Sequence, residues 1–180
     1  MGQVRDNWFY WAGGLDVTRI LELAETKTLD DATTFGGPND DYRRSKVAWL
    51  SGNTELMDLL FPYAESAGTW MNIDVKAIAD FQYTEYHATE NGKYDWHHDV
   101  DWNNNNGRDR KLSMTVQLSD PEDYEGGIFE FGEGVEQPQA NSREKGTVLV
   151  FPSYLQHCVT PVTKGVRKTL VAWFEGPTWR

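Results

Sequence analysis

The chain has 180 residues, 39% hydrophobic and 25% charged, with eight each of Trp, Tyr and Phe. That composition excludes a disordered chain and suffices for one domain to bury a core unaided. Seventeen basic against 28 acidic side chains leave a net charge of −11, so the broad positive field that a phosphate backbone requires is missing and nucleic acid is a disfavoured partner. No stretch approaches the ~20 apolar residues needed to cross a bilayer, and no basic-then-apolar run lies within Met1 to Asp16, so a soluble, cytoplasmic protein is expected. The single cysteine, Cys158, cannot form an internal disulfide, which fits a reducing compartment, and it reads as a small buried hydrophobe.

The first 75 residues predict helical support. Asp16 can cap a helix carrying Ile20, Leu21, Leu23 and Ala24, and Thr54 can cap one carrying Leu56, Leu59, Leu60 and Ala64. Between them, Thr33 to Tyr42 contains Gly36-Gly37-Pro38 and reads as a surface loop. From about 76 to 177 the pattern becomes short segments rich in β-branched and aromatic residues, separated by turn signals at Glu90-Asn91-Gly92, Asn103 to Gly107, Asp120-Pro121 and Glu125-Gly126-Gly127. In Lys111 to Leu118 the apolar Leu112, Met114, Val116 and Leu118 alternate with Ser113, Thr115 and Gln117; an edge strand with its polar face in water is one way to satisfy that. Thr147 to Phe151 and Thr169 to Phe174 are apolar on both faces, as central strands are. The whole, 1–180, reads as one mostly β domain, helices packed outside a jelly-roll core.

Chemistry concentrates in Tyr94 to Trp102. Residues two apart on a strand point to one side, so His97 and Asp99 can grip one ion while His98 faces away. His157, at the end of the strand that closes on Phe151-Pro152, can be brought close by a neighbouring strand. Two imidazoles and a carboxylate on one face leave coordination positions open, as in iron(II) oxygenases; the bland reading makes His97 and His98 solvated loop residues beside Asp95, Asp99 and Asp101. Arg167, ten positions after His157, shares a strand face with Thr169, Val171 and Trp173. A guanidinium sequestered there needs an anionic partner, either a ligand carboxylate or a protein Glu.

These blocks, with Leu118 to Gly127, Gly146-x-x-x-x-Phe151-Pro152-Ser153 and His157-x-Val159-x-Pro161-Val162-Thr163-x-Gly165-x-Arg167, resemble the 2-oxoglutarate and iron(II)-dependent dioxygenases, prolyl 4-hydroxylase-like branch, over roughly Phe81 to Pro177. The resemblance implies a double-stranded β-helix core, cupin-like in shape, and iron(II) held by His97, Asp99 and His157. It implies 2-oxoglutarate chelated to the metal with its distal carboxylate on Arg167, ascorbate as a further cofactor, and hydroxylation of a C–H with release of succinate and CO2. Tyr86, Gln117 and Tyr94 fall near positions that contact the co-substrate in that family, although tyrosine is more usual where Gln117 stands and the Tyr86 to His97 spacing is one residue longer than in some members. The segment Trp102 to Asp109 lies where relatives carry a mobile flap, and is otherwise a polar turn. The implied substrate is a proline-containing peptide or protein, with a free amino acid, another small molecule or a nucleobase as alternatives. A cupin-like binding module without oxygenase activity is the competing class; Asp99 in place of a second His, and Arg167, argue against it, and Asp99 argues against a halogenase, which replaces the carboxylate by a small residue.

Overall fold

The computed structural model describes residues 7–34, 41–100, 102 and 107–179. The expected loop at Gly36-Gly37-Pro38 and the Asn103–Asn106 run lie outside the described residues. In chain order the elements are β1 (Phe9–Trp11), α1 (Thr18–Glu25), β2 (Asp30–Asp31), β3 (Arg43–Arg44), β4 (Lys46–Trp49), α2 (Thr54–Met71), β5 (Ala77–His87), β6 (Lys93–His97), β7 (Arg108–Gln117), β8 (Tyr124–Gly126), β9 (Phe129–Phe131), β10 (Val148–Pro152), β11 (His157–Val159) and β12 (Val162–Pro177). Among the described residues they build two antiparallel sheets. The larger runs β1-β10-β7-β12-β5-β4-β2, with β8 on the start of β12, and the smaller runs β3-β6-β11-β9. This is the expected mostly β, jelly-roll-like architecture. The first 75 residues are more than helical support: β1 extends the larger sheet beside β10, β4 beside β5, and β3 edges the smaller sheet beside β6. At two to four residues each, these strands are too short to show a period.

The alternation in β7 explains the layering. Leu112, Met114 and Val116 turn to the outer face of the larger sheet, where with Leu170, Ala172 and Phe174 of β12 they pack against Leu56, Leu60, Ala64 and Ala67 of α2 and Ile20 of α1. The opposite face of β7 is not in water. β7 lies between β10 and β12, and Ser113, Thr115 and Gln117 are all buried, which overturns the edge-strand reading. Alternation reveals that one face is polar but not what covers it; here it looks toward the smaller sheet. A third cluster, Phe131 with Leu149 and Phe151, joins the two sheets.

The helix starts differ from expectation by one residue. Val17 holds the N-cap position of α1, while the Asp16 carboxylate accepts the Thr18 N–H from one residue further out, at 2.9 Å. For α2 the cap is Asn53, extended at φ −77°, ψ 106°, whose side chain accepts the Leu56 N–H at 2.9 Å, and Thr54 is already helical. Both residues are cap formers, and backbone conformation decides which one acts. Among the described residues no helix is long and apolar enough to cross a membrane. Replacing Asn53 by Ala should lower stability to urea by about 1 kcal/mol, whereas Thr54→Ala should change it by no more than a few tenths; equal losses would return the cap to Thr54.

Candidate metal centre and its cavity

The site is built by one cross-strand pair. His97 ends β6, His157 opens β11, and the two are direct Cα partners in the smaller sheet. His157 therefore lies on its own short strand, separated from β10 by a turn, rather than at the end of β10 as expected. Asp99 is two residues past the end of β6, and its N–H donates to the Ser153 carbonyl at 2.8 Å, so that turn fixes it in place of a strand ladder. His97 Nε2 is 3.8 Å from Asp99 Oδ1 and His157 Nε2 is 3.7 Å from Asp99 Oδ2. One ligand atom from each of the three lies within 4.8 Å of the others, close enough for one ion to touch all three at about 2 Å.

The tautomers fit that use. His97 Nδ1 is 2.7 Å from the Asp95 carbonyl and His157 Nδ1 is 2.9 Å from the Leu155 carbonyl. A carbonyl only accepts, so each Nδ1 carries the proton and each Nε2 presents a lone pair to the cluster. Burial, reinforced by the nearby His157 and opposed by Asp99, lowers the His97 pKa to about 3; the imidazole stays neutral, as a metal ligand must be. Burial alone would raise the Asp99 carboxyl, but His157, His97, a hydrogen bond from Ser113 and the charge of Arg110 together hold it below the ordinary range. Ser113 Oγ donates to Asp99 Oδ2 at 2.6 Å and contacts Ser153 Oγ at 2.9 Å. Here lies the destination of the polar face of β7: it holds the carboxylate by one oxygen.

Aromatic rings enclose the imidazoles. Tyr94 stacks on His97, with centroids 3.5 Å apart and planes at 13°, while Phe129 and Phe151 flank His157 at 5.4 and 4.7 Å. Burial raises Tyr94 to about 12 and also raises Tyr86, where Arg43 and Arg167 oppose the shift. Both phenols are therefore neutral donors. His98 is exposed at the cavity rim, its Nε2 accepting from Trp102 Nε1 at 3.2 Å, and gives no ligand atom to the cluster.

Arg167, 2% exposed, sits on β12 directly opposite Tyr86 of β5. Its Nη2 donates to Gln117 Oε1 at 3.2 Å and its guanidinium lies 5.6 Å from the Tyr86 ring. Among the described residues no carboxylate pairs with it, which removes the protein-Glu alternative. Gln117 thus meets the arginine and is absent from the cavity wall, whereas Tyr86, Tyr94 and Arg167 line it. Gly127, at φ +56°, passes so close that an added Cβ would stand 3.0 Å from Arg167 Cδ and 2.8 Å from Val162 Cγ2, so only a glycine leaves room for the arginine stem. The cavity into which the cluster and Arg167 open holds about 1080 Å³, large for one small ligand. Its wall also contains Trp173, which the sequence places on the Arg167 strand face, and Arg43, Gln82 and Arg110, which the sequence patterns do not single out.

Residues 81–175 match the family 2OG-Fe(II) oxygenase superfamily. The chain belongs to that superfamily. Among its sequence relatives are a PKHD-type hydroxylase of Synechococcus sp. (strain CC9605), 42% identical over 46% of this chain and 36% of that protein, and the PKHD-type hydroxylase YbiX of Escherichia coli (O1:K1 / APEC), 41% identical over 36% of this chain and 28% of that protein. The chain spans between 28% and 36% of the length of these relatives. Solved structures share the fold over nearly the whole chain. They include a Pseudomonas putida prolyl-4-hydroxylase (TM-score 0.69, 20% identity, 95% of this chain and 94% of that one) and a viral collagen prolyl hydroxylase of Paramecium Bursaria Chlorella virus-1 in complex with 2OG (0.72, 20%, 95% and 97%).

Two expectations follow for the cluster. Ser113→Ala should weaken binding of Co(II), titrated calorimetrically, by roughly 10–100-fold, with Ser113→Thr restoring most of it; unaltered affinity would mean that Ser113 only packs. Because His97 binds its proton far less readily folded than unfolded, its contribution to stability is present above the ordinary pKa of 6.5 and is lost as pH falls from there toward about 3. The melting temperature of the metal-free His97→Gln variant should therefore fall less steeply across that window than that of the wild type.

Proposed function

We propose that the protein is a 2-oxoglutarate- and O2-dependent iron(II) hydroxylase of a peptidyl proline or related residue. The observation that carries this reading is that a His-Asp-His donor set and a buried guanidinium without a protein carboxylate face one cavity. His97, Asp99 and His157 would hold the metal on one face and leave the remaining positions free. Iron(II) with bound 2-oxoglutarate supplies oxidative decarboxylation to succinate and CO2 coupled to hydroxylation of a C–H bond. Arg167 would take the distal carboxylate of the co-substrate through charged hydrogen bonds, with Gln117 orienting the guanidinium from the side. The neutral Tyr86 phenol, opposite Arg167 in the ladder, would be a further donor to it. Tyr94, Phe129 and Phe151 hold the imidazoles in place and keep water from them.

The substrate class rests on the structural relatives, which include prolyl hydroxylases, one from Trichoplax adhaerens solved with a hypoxia inducible factor peptide fragment. The exposed Trp49, Trp96 and Trp102 at the cavity wall fit a proline-containing segment, whose extended form docks on aromatic grooves. The buried lone Cys158 suits a reducing compartment such as the cytoplasm. Anaerobic titration of the iron(II)-loaded protein with 2-oxoglutarate should develop a weak visible charge-transfer band that bleaches as O2 is admitted and succinate forms, with ascorbate present. His157→Ala and Asp99→Ala should lose the band, while Arg167→Ala should keep it and require at least tenfold more 2-oxoglutarate. Neither band nor succinate in the wild type would favour the cupin-like binding module.

A further inference from the structure

The charges facing the cavity do not balance. Among the described residues its ionised lining side chains are three arginines, Arg43, Arg110 and Arg167, against one carboxylate, Asp99, in a chain whose net charge is −11. A divalent ion and the 2-oxoglutarate dianion cancel one another, so loading the site leaves the same positive excess. Arg110 is partly exposed and rests on the Trp173 ring at 4.1 Å. Arg43 has no such outlet, being only 8% exposed.

Among the described residues its hydrogen-bond and ring partners are all neutral. Nε donates to Ser45 Oγ at 3.0 Å, Nη2 donates to Gln82 Oε1 at 2.8 Å, and the guanidinium lies 4.4 Å over the Tyr94 ring. Among the described residues Nη1 has no hydrogen-bond partner and no carboxylate pairs with the group. Taking a guanidinium out of water against neutral groups alone is unfavourable, and an anion arriving with the ligand removes the penalty. Ser45 and Gln82 are themselves buried, so they hold the planar fork in one orientation before any ligand arrives. The ring beneath Arg43 is the one that stacks on His97, which sets the arginine one aromatic layer from the candidate metal ligand. One distal carboxylate is available from 2-oxoglutarate, and Arg167 with Gln117 is built to receive it.

We infer that the primary substrate carries a carboxylate, which pairs with Arg43 and so places a neighbouring C–H bond over the metal centre. This rests on the oxygenase reading above and narrows its substrate. The carboxylate has three sources: an acidic side chain beside the target residue, the C-terminus of a peptide, or a free amino acid.

Matched probes separate them: acetyl-Gly-Pro-Glu-amide against acetyl-Gly-Pro-Gln-amide, acetyl-Gly-Pro with a free terminus against its amide, and L-proline against L-prolinamide. Binding of each to the iron(II)- and 2-oxoglutarate-loaded protein is read without O2 from the shift of the charge-transfer band, then succinate is measured after O2 is admitted. In at least one pair the acid should bind about tenfold tighter than its neutral partner. Arg43→Gln should erase that preference and leave the 2-oxoglutarate titration within twofold of wild type, and Arg43→Lys, which keeps the charge but loses the fork, should retain part of it. If no acid outbinds its neutral partner in the wild type, the inference is wrong, whatever the variants do. A preference untouched in Arg43→Gln, with a weakened 2-oxoglutarate titration, would reassign Arg43 to the co-substrate. Absence of the band in wild type would instead remove the oxygenase reading itself.

Discussion

The register between β6 and β11 is the constraint on which the centre depends. Side chains alternate with a period of two, so sliding one strand by a single residue would turn one imidazole out of the cluster and put a neighbour in its place. The pairing of His157 with His97 on one side and with Phe131 on the other fixes that register, and an irregularity between His157 and Val159 ends the regular ladder directly after the histidine. The carboxylate needs a different device because it lies beyond β6. The Asp99 N–H is tied to the Ser153 carbonyl, and the Ser153 N–H is tied in turn to the Lys111 carbonyl on β7. The third donor is thereby referenced to the larger sheet while the two imidazoles belong to the smaller one, and the cluster spans both layers.

Burial makes this arrangement chemically useful. A half-solvated imidazole would be shared with protons near neutral pH, whereas His97, walled by Tyr94 and set beside His157, keeps its lone pair free. The same exclusion of water would be unfavourable for Asp99 were it not for its neighbours, His157 and His97 and then the hydroxyl of Ser113, which compensates one carboxylate oxygen and leaves the other for coordination. Arg167 follows the same logic in reverse. Among the described residues it is buried with a neutral amide and a phenol for company and no carboxylate, so on the proposed reading an entering anion would relieve that burial.

Much of this could be read from residue order alone, for identifiable reasons. The alternation from Lys111 to Leu118 and the apolar run from Thr169 to Phe174 are long enough to mark strands, and both β7 and β12 fall in the larger sheet as central members. His97 and Arg167 are legible because they lie on strands, where spacing carries direction, whereas Asp99, past the end of β6, and His157, opening a strand of its own, are legible through the motif spacing rather than through a strand period. Less legible were contacts set by elements too short for a pattern. Arg43 belongs to a two-residue strand, and nothing in Arg43-Arg44-Ser45 says which of two adjacent arginines is buried and which sits half-exposed. Ser113 was seen only as one polar residue of three, because the identity of the opposing layer is tertiary information. The shift of the α2 cap from Thr54 to Asn53 has the same origin: two competent residues in sequence, separated only by dihedral angles.

The distribution of charge adds a last step. A chain with net charge −11 turns three arginines and, among the described residues, one carboxylate toward one cavity, so its charges are unevenly distributed. Surface carboxylates are screened within about 10 Å at ordinary salt, so they do little to neutralise guanidiniums behind a wall of aromatic rings. Inside, where the effective dielectric is lower, the arginines act on whatever enters at close range. A net charge of −11 disfavours polyanions, while on the proposed reading the arginines of the cavity would favour a small anion that fits, so that size and charge together would select. On the proposed reading, specificity would come from two carboxylate-sized receptors on different sheets, Arg167 on the larger and Arg43 on the smaller, an arrangement that a neutral substrate could occupy only by leaving one of them unpaired.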